Sequence, residues 1–193
     1  LRSLFSGVTG LRNHQLRLDV IGNNVANVNT IAFKSGRVAF KEGFAQLLQG
    51  ASRPPGDHGG INPIQVGLGM QIGSIDTMFS QGNLEVTGLN TDLAIQGDSF
   101  FTVAKGNEHY YTRAGNFSFD SQGFLVTTKG QYVLGTLAAT GNIGRLQVDP
   151  ATTAAINVDA AGGITAISTA GVSTPIGTLS LAKFANAPSI TRT

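Results

Sequence analysis

The sequence predicts a mainly β protein: an amino-terminal helix of coiled-coil type, an irregular linking segment, then an all-β domain of short strands. Three observations carry this reading. A seven-residue apolar repeat runs through the first thirty residues, a Gly/Pro cluster interrupts the chain at residues 50–60, and short aromatic or β-branched runs follow. The chain accordingly divides into residues 1–30, 31–69 with its Gly/Pro loop, and 70–193.

The helix comes first. Leu1, Leu4, Val8, Leu11, Leu18, Val25 and Val28 fall at alternating three- and four-residue steps, with Gln15 and Gly22 filling the series. Leu4, Leu11, Leu18 and Val25 form a strict seven-residue repeat, which puts them along one seam of an α-helix. Polar residues lie between them, Ser3 or Ser6 is suited to cap the start, and Gly22-Asn23-Asn24 weakens the last turns. A narrow apolar seam calls for a partner helix. The chain offers no second helix of comparable length, so the seam is expected to be satisfied by another chain or by a segment this sequence lacks, and residues 1–30 of an isolated monomer to be disordered or paired with another chain.

Residues 31–69 change character. Phe33, Val38, Phe40, Phe44, Leu47 and Leu48 are apolar, but Gly36 and Gly43 interrupt any long helix, leaving a short one expected over residues 41–49. The loop at 50–60 follows from its turn residues, since Pro restricts the backbone and Gly permits positive φ.

Strand signals dominate from Met70 onward. They cover residues 71–79, 93–95, 100–103, 110–112, 116–119, 124–127, 132–134, 146–148, 156–158, 164–167 and 176–184. Gly-containing turns such as Lys105-Gly-Asn107, Asp120-Ser-Gln-Gly123 and Ala161-Gly-Gly163 separate them, which argues a meander or sandwich. Residues 151–174, rich in Ala, Thr and Gly, are expected to be peripheral and loosely packed.

Composition removes several functions. There is no Cys, so disulfides, thiolate metal sites and Cys nucleophiles are absent. Thirteen basic against eleven acidic residues leave a net charge of only +2, far from a concentrated nucleic-acid-binding face. No apolar run approaches the ~18 residues of a membrane span, and the first residues do not read as a cleavable signal. Gly, at 26 of 193 residues, is enriched without a triplet period.

Catalytic constellations are equally thin. His14, His58 and His109 lie 44 and 51 residues apart, outside any His-x3-His or carboxylate-rich metal spacing. No Gly-x-Ser-x-Gly elbow or Walker-type Gly-Lys-Ser/Thr occurs. Gly67-Leu-Gly69-Met-Gln-Ile-Gly73 fails as a dinucleotide fingerprint, because a period-two β segment follows where a helix is required. Asp92, Asp98, Asp120, Asp149 and Asp159 mostly sit beside Gly, Asn or Pro and read as turn stabilisers. A glycosidase pair among them would lack the usual aromatic lining, with three Tyr and no Trp. No enzyme, cofactor or metal is expected. Asn23, Asn24, Asn27 and Asn29 are the densest polar cluster, suited either to a structured helix end or to amide bridges between subunits.

The order of segments resembles one family. Ser6-Gly-Val-Thr-Gly-Leu11, Leu18-Asp-Val-Ile-Gly-Asn-Asn-Val-Ala-Asn-Val-Asn-Thr30 and Ala32-Phe-Lys-Ser35 are similar to the amino-terminal signature of bacterial flagellar rod and hook proteins. Asn62-Pro-Ile-Gln-Val-Gly-Leu-Gly69 and Gly73-Ser-Ile-Asp-Thr77 resemble its hook branch. Ser80-Gln-Gly-Asn-Leu84, Asp92-Leu-Ala-Ile-Gln-Gly97 with Phe100-Phe-Thr-Val103, and Tyr111-Thr-Arg-Ala-Gly-Asn-Phe117 resemble both hook and distal rod. Ile176-Gly-Thr-Leu-Ser-Leu-Ala-Lys-Phe-Ala-Asn186 is similar to the last β segment before the family's carboxyl-terminal region. Members carry a second long helix there that pairs with the first; the sequence as given ends at Thr193, before that region, and on the resemblance any outer domain is expected to be small or absent.

The resemblance implies a structural hook subunit, exported through the flagellar secretion channel and stacked into a helical tube that passes motor torque to the filament. The alternative is a distal rod subunit of the basal body. Implied partners are further copies of the chain, neighbouring rod, hook-cap and hook–filament junction proteins, and the export apparatus. On this reading Leu4, Val8, Leu11, Leu18 and Val25 make helix-layer contacts, with Asn23, Asn24 and Asn27 at the following turn. Phe33, Phe40 and Phe44 dock the connecting segment, or Phe40-Lys-Glu-Gly-Phe44 is read by the export gate. A hydrolase on a β scaffold is the competing class, and it requires a cleft with perturbed carboxylates.

Overall fold

The computed structural model describes residues 2–51, 60–187 and 190. Leu1, the loop at 52–59 with His58, and Thr193 lie outside the described residues. The chain forms two compact units, Leu1–Phe79 and Ser80–Thr193.

The first unit joins one long helix to a long antiparallel hairpin. Helix α1 spans Arg2–Ala26 and runs unbroken through Gly22-Asn23-Asn24. Its end is tied by side chains: the Asn27 amide donates to the Asn23 carbonyl (3.0 Å), and the Thr30 hydroxyl donates to Asn27 Oδ1 (3.1 Å). Ala32, with φ of 61°, then turns the chain through the left-handed region.

Residues 31–69 are more regular than the irregular linkage read from sequence, since they hold three strands. These are β1 (Gly36–Glu42), β2 (Ala45–Gln49) and β3 (Ile64–Gly67), followed by β4 (Met70–Thr77). The helix expected over residues 41–49 does not form. Val38 and Phe40 alternate as strand residues, and β1 pairs along its whole length with β4, with one bulge between Ala39 and Phe40. Pairing then continues through Gly43, whose N–H donates to the Gly69 carbonyl (2.8 Å), into β2 and β3. Arg37 and Asp76 face each other across β1 and β4 at 3.7 Å, an exposed ion pair whose contribution is about 0.2–1 kcal/mol.

The second unit is a ten-stranded antiparallel sheet. Its strands are β5 (Ser99–Lys105), β6 (Glu108–Thr112), β7 (Phe117–Phe119), β8 (Leu125–Thr127) and β9 (Tyr132–Leu137), then β10 (Ile143–Arg145), β11 (Thr153–Val158), β12 (Gly163–Ser168), β13 (Ser173–Leu179) and β14 (Leu181–Lys183). The main path runs β11-β12-β13-β9-β5-β14, with β10 on β9, β6 on β5, and the β7–β8 pair joined to β9 through β8. Phe101, Val103, Phe117, Leu125, Val133, Leu146, Ile164 and Leu179 form its buried core, with the Phe101 and Phe117 rings edge to face at 5.0 Å.

Three strand expectations change here. Residues 93–95 are not a strand: the Leu93 N–H donates to the Gly115 carbonyl (2.9 Å), and Leu93 and Ile95 pack on the core as a covering segment. The strand expected at 146–148 lies three residues earlier, as β10, and Gln147 keeps a single bridge to Phe124; Leu146 is 1% exposed and its carbonyl accepts from Leu125 N–H (3.0 Å). Within residues 151–174, β11 is indeed an edge strand, yet β12 buries Ile164 and Ala166, so this stretch supplies core rather than loose periphery.

Candidate functional site

Helix α1 rests on the β1–β4 ribbon, and the face it uses is the unexpected one. Its partly covered residues are Ser6, Thr9, Gly10, Asn13, Leu16, Val20 and Asn24. At about 100° per residue these lie on the side opposite Leu4, Leu11 and Leu18. The contact is made by polar groups that satisfy ribbon backbone. Asn13 Nδ2 donates to the Met70 carbonyl at 2.7 Å. Asn24 forms a two-point pair with Gly36: its Nδ2 donates to the Gly36 carbonyl (2.8 Å), and its Oδ1 accepts from the Gly36 N–H (2.9 Å). A side-chain amide here takes the place of a neighbouring strand's peptide group. The His14 ring meets Phe40 edge to face at 5.7 Å.

The seam therefore points away from its own chain. Leu4, Leu11, Leu18 and Val25 are 66%, 73%, 65% and 66% exposed, and Val8 is nearly half exposed. No residue of α1 is buried. Ile21 flanks the seam and so escapes a strict heptad reading; Phe5, on another side of the helix, and Val28, just past its end, are also exposed. An apolar stripe of this length on one helix is the signature of association.

The other sequence-singled residues are placed separately. Asn24 and Asn27 spend their amides within the chain, and Asn23 is exposed with its carbonyl accepting from Asn27. Phe40 is half-buried beside His14, and Phe33 is half-buried at the exit from the helix. Phe44, between β1 and β2, is 81% exposed. The three phenylalanines are thus in different surroundings.

The competing catalytic reading finds little to use. A cleft of about 420 Å³ in the second unit is lined by Asn90, Phe119, Asp120, Val148, Pro150 and Ile156, among others, with Asp120 its sole acidic lining residue. Asp120 Oδ1 already accepts the N–H groups of Gln122 (2.9 Å) and Phe124 (2.8 Å). Asp159 Oδ1 does the same for Ala161 (3.0 Å) and Gly163 (2.7 Å), so both carboxylates build turns. Among the described residues no group of three or more His, Asp or Glu could hold a metal ion, and no helix is long and apolar enough to cross a membrane.

Comparison with known proteins agrees with the layout of the two units. Residues 4–34 match the family described as flagella basal body rod protein, and residues 94–166 match the flagellar hook protein FlgE/F/G D1 domain. The flagellar hook protein FlgE of Treponema pallidum is 54% identical over 139 residues, covering 72% of this chain and 30% of that relative. FlgE of Borreliella burgdorferi is 51% identical over 139 residues, covering 72% and 31%. The flagellar basal-body rod protein FlgG of Bacillus subtilis is 50% identical over 134 residues, covering 69% and 51%. The chain spans about a third of the length of these hook relatives and about half that of the rod relative. The match of residues 4–34 to the rod family, the match of residues 94–166 to the hook and rod D1 domain, and identities at this level lead to one conclusion: the chain belongs to the flagellar hook and rod protein family.

Proposed function

We propose that this chain is the structural part of a flagellar hook subunit, non-catalytic, which stacks with copies of itself into a helical tube outside the cytoplasm and transmits motor torque to the filament. The observation that carries the proposal is the exposed seam of α1, set opposite the face that holds the helix to its own ribbon. A lone molecule gains nothing from displaying Leu4, Leu11, Leu18 and Val25 to water. A helical tube does, because its contacts are heterologous and each subunit must offer surfaces that do not close on themselves. Leu4, Val8, Leu11, Leu18 and Val25 are the proposed helix-layer contacts, with Asn23 at their carboxyl end; Asn24 and Asn27 support that layer by fixing the helix end. Phe44 is the most available of the three phenylalanines for a neighbouring subunit or the export apparatus. Further partners on this reading are the rod, hook-cap and junction proteins.

A distal rod subunit is the second reading, favoured by the 50% identity to a FlgG rod protein of which the chain spans 51%. Immunogold electron microscopy of purified hook–basal bodies, with antibody against the second unit, separates the two. Label along the curved segment supports the hook. Label confined to the straight axle moves the assignment to the rod, and no label on either overturns both.

A further inference from the structure

The hairpin of the first unit is divided in two where Gly43 and Gly69 pair through their backbones. On one side, β1 and β4 are braced by α1 through Asn13, Asn24 and the His14–Phe40 contact. On the other, every residue of β2 and β3 is exposed. Between them stand Gly43-Phe44 and Leu68-Gly69, paired by two backbone hydrogen bonds, Gly43 N–H to Gly69 carbonyl (2.8 Å) and Leu68 N–H to Phe44 carbonyl (2.9 Å). Neither glycine brings a side chain to the crossing, and Thr9 and Ser6 of α1 lie against Gly69. A Cβ on Gly43 would come within 2.8 Å of the Gly69 carbonyl oxygen. One on Gly69, where φ is +111°, would come within 2.6 Å of Thr9 Oγ1. Beyond the crossing, one described side-chain bond ties the outer ribbon to the helix: Arg2 Nη1 donates to Gln46 Oε1 at 2.6 Å.

We infer that the β2–β3 ribbon is a jointed arm, pivoting at Gly43 and Gly69 against the helix-braced β1–β4 ribbon, with the Arg2–Gln46 hydrogen bond as its latch. Hinges concentrate the φ/ψ change in a few residues at element ends, and glycine, having no Cβ, resists such a change least. A two-stranded ribbon with nothing packed on it also has no intrinsic reason to hold one orientation. In a tube that bends, distances between neighbouring subunits change on every turn, and an arm of this kind follows them without disturbing α1 on its ribbon. That use rests on the hook reading; the joint does not, so its test is made on the isolated chain.

The chain has no Cys, so two introduced thiols report one distance. Spin labels on Arg17→Cys and Gln49→Cys span the joint, while Arg17→Cys with Lys41→Cys stays on the braced side. Pulsed dipolar spectroscopy should give a distance distribution about twice as broad for the first pair as for the second, broadening further in an Arg2→Ala background. Equal widths for the two pairs would overturn the joint. An unchanged width on Arg2→Ala would overturn the latch. Failure of the antibody to label hooks or rods would leave both distances as they are, and so bears on the function alone.

Discussion

Replacing Leu11 and Leu18 together by Ala separates what α1 does for its own chain from what it does for an assembly. Within the chain the two side chains are 73% and 65% exposed, so only about a third of each is removed from water. Full burial of a Leu stabilises by about 1.5–3 kcal/mol, which leaves about 0.5–1 kcal/mol per site in the monomer. The remaining 1–2 kcal/mol per site, about 2–4 kcal/mol for the pair, is realised only when a partner covers the seam. At about 1.4 kcal/mol per tenfold, that weakens association by roughly 30- to 1,000-fold. Ala is the better helix former, so helicity is retained. The full-length subunit carrying both changes should show an unaltered far-ultraviolet spectrum and a slightly lowered melting point. Its critical concentration for polymerisation, read by sedimentation, should rise by that factor. Normal assembly at wild-type concentration would refute the seam as a contact surface, because no other role of these exposed leucines in the chain could mask its loss.

Three further outcomes follow from other parts of the structure. Asn24→Ala removes both bonds to Gly36, at about 0.5–1.5 kcal/mol each, so exchange of the Gly36 amide hydrogen should accelerate roughly 5- to 100-fold while the second unit's core amides are unchanged. Leu146→Ala, at a position 1% exposed, should destabilise the second unit by about 2–5 kcal/mol in denaturant titration and leave α1 helicity intact. Tyr110 donates to the Glu108 carboxylate, and that bond, with the nearby negative charge, raises its phenol above 10.0. Because the folded value lies above the unfolded one, its contribution is complete below pH 10 and lost as pH rises through the raised value; Glu108→Gln should bring the phenolate absorbance transition to lower pH.

Much of this architecture is legible in the sequence, and the exceptions share a cause. The heptad of Leu4, Leu11, Leu18 and Val25 marks the helix, and aromatic or β-branched runs with Gly turns mark most strands of the second unit. What periodicity misses is the direction in which the helix packs. A face of Ser6, Thr9, Asn13 and Asn24 reads as solvated, yet its amides bond backbone that would otherwise go unpaired. The β1 strand shows a period-two signal in Val38 and Phe40, but Gly43 breaks it before it reaches a length that outweighs the helical spacing after it. Leu93 and Ile95 look like strand residues because they are apolar and alternate; tertiary pairing with Gly115 makes them a cover instead.

The register of β14 on β5 sets how the second unit answers a pull. Ser99 lies opposite Lys183 and Phe101 opposite Leu181, so the chain enters β5 and leaves β14 at the same end of the pair. Tension applied between those two points acts along the hydrogen bonds and across the strands, peeling them apart from Ser99 and Lys183 inward, one contact at a time. Opposed pulling along the strands would have to break the whole pair at once. The β5–β14 pair is therefore weakest against a pull between its own two open ends and strongest against one directed along its strands.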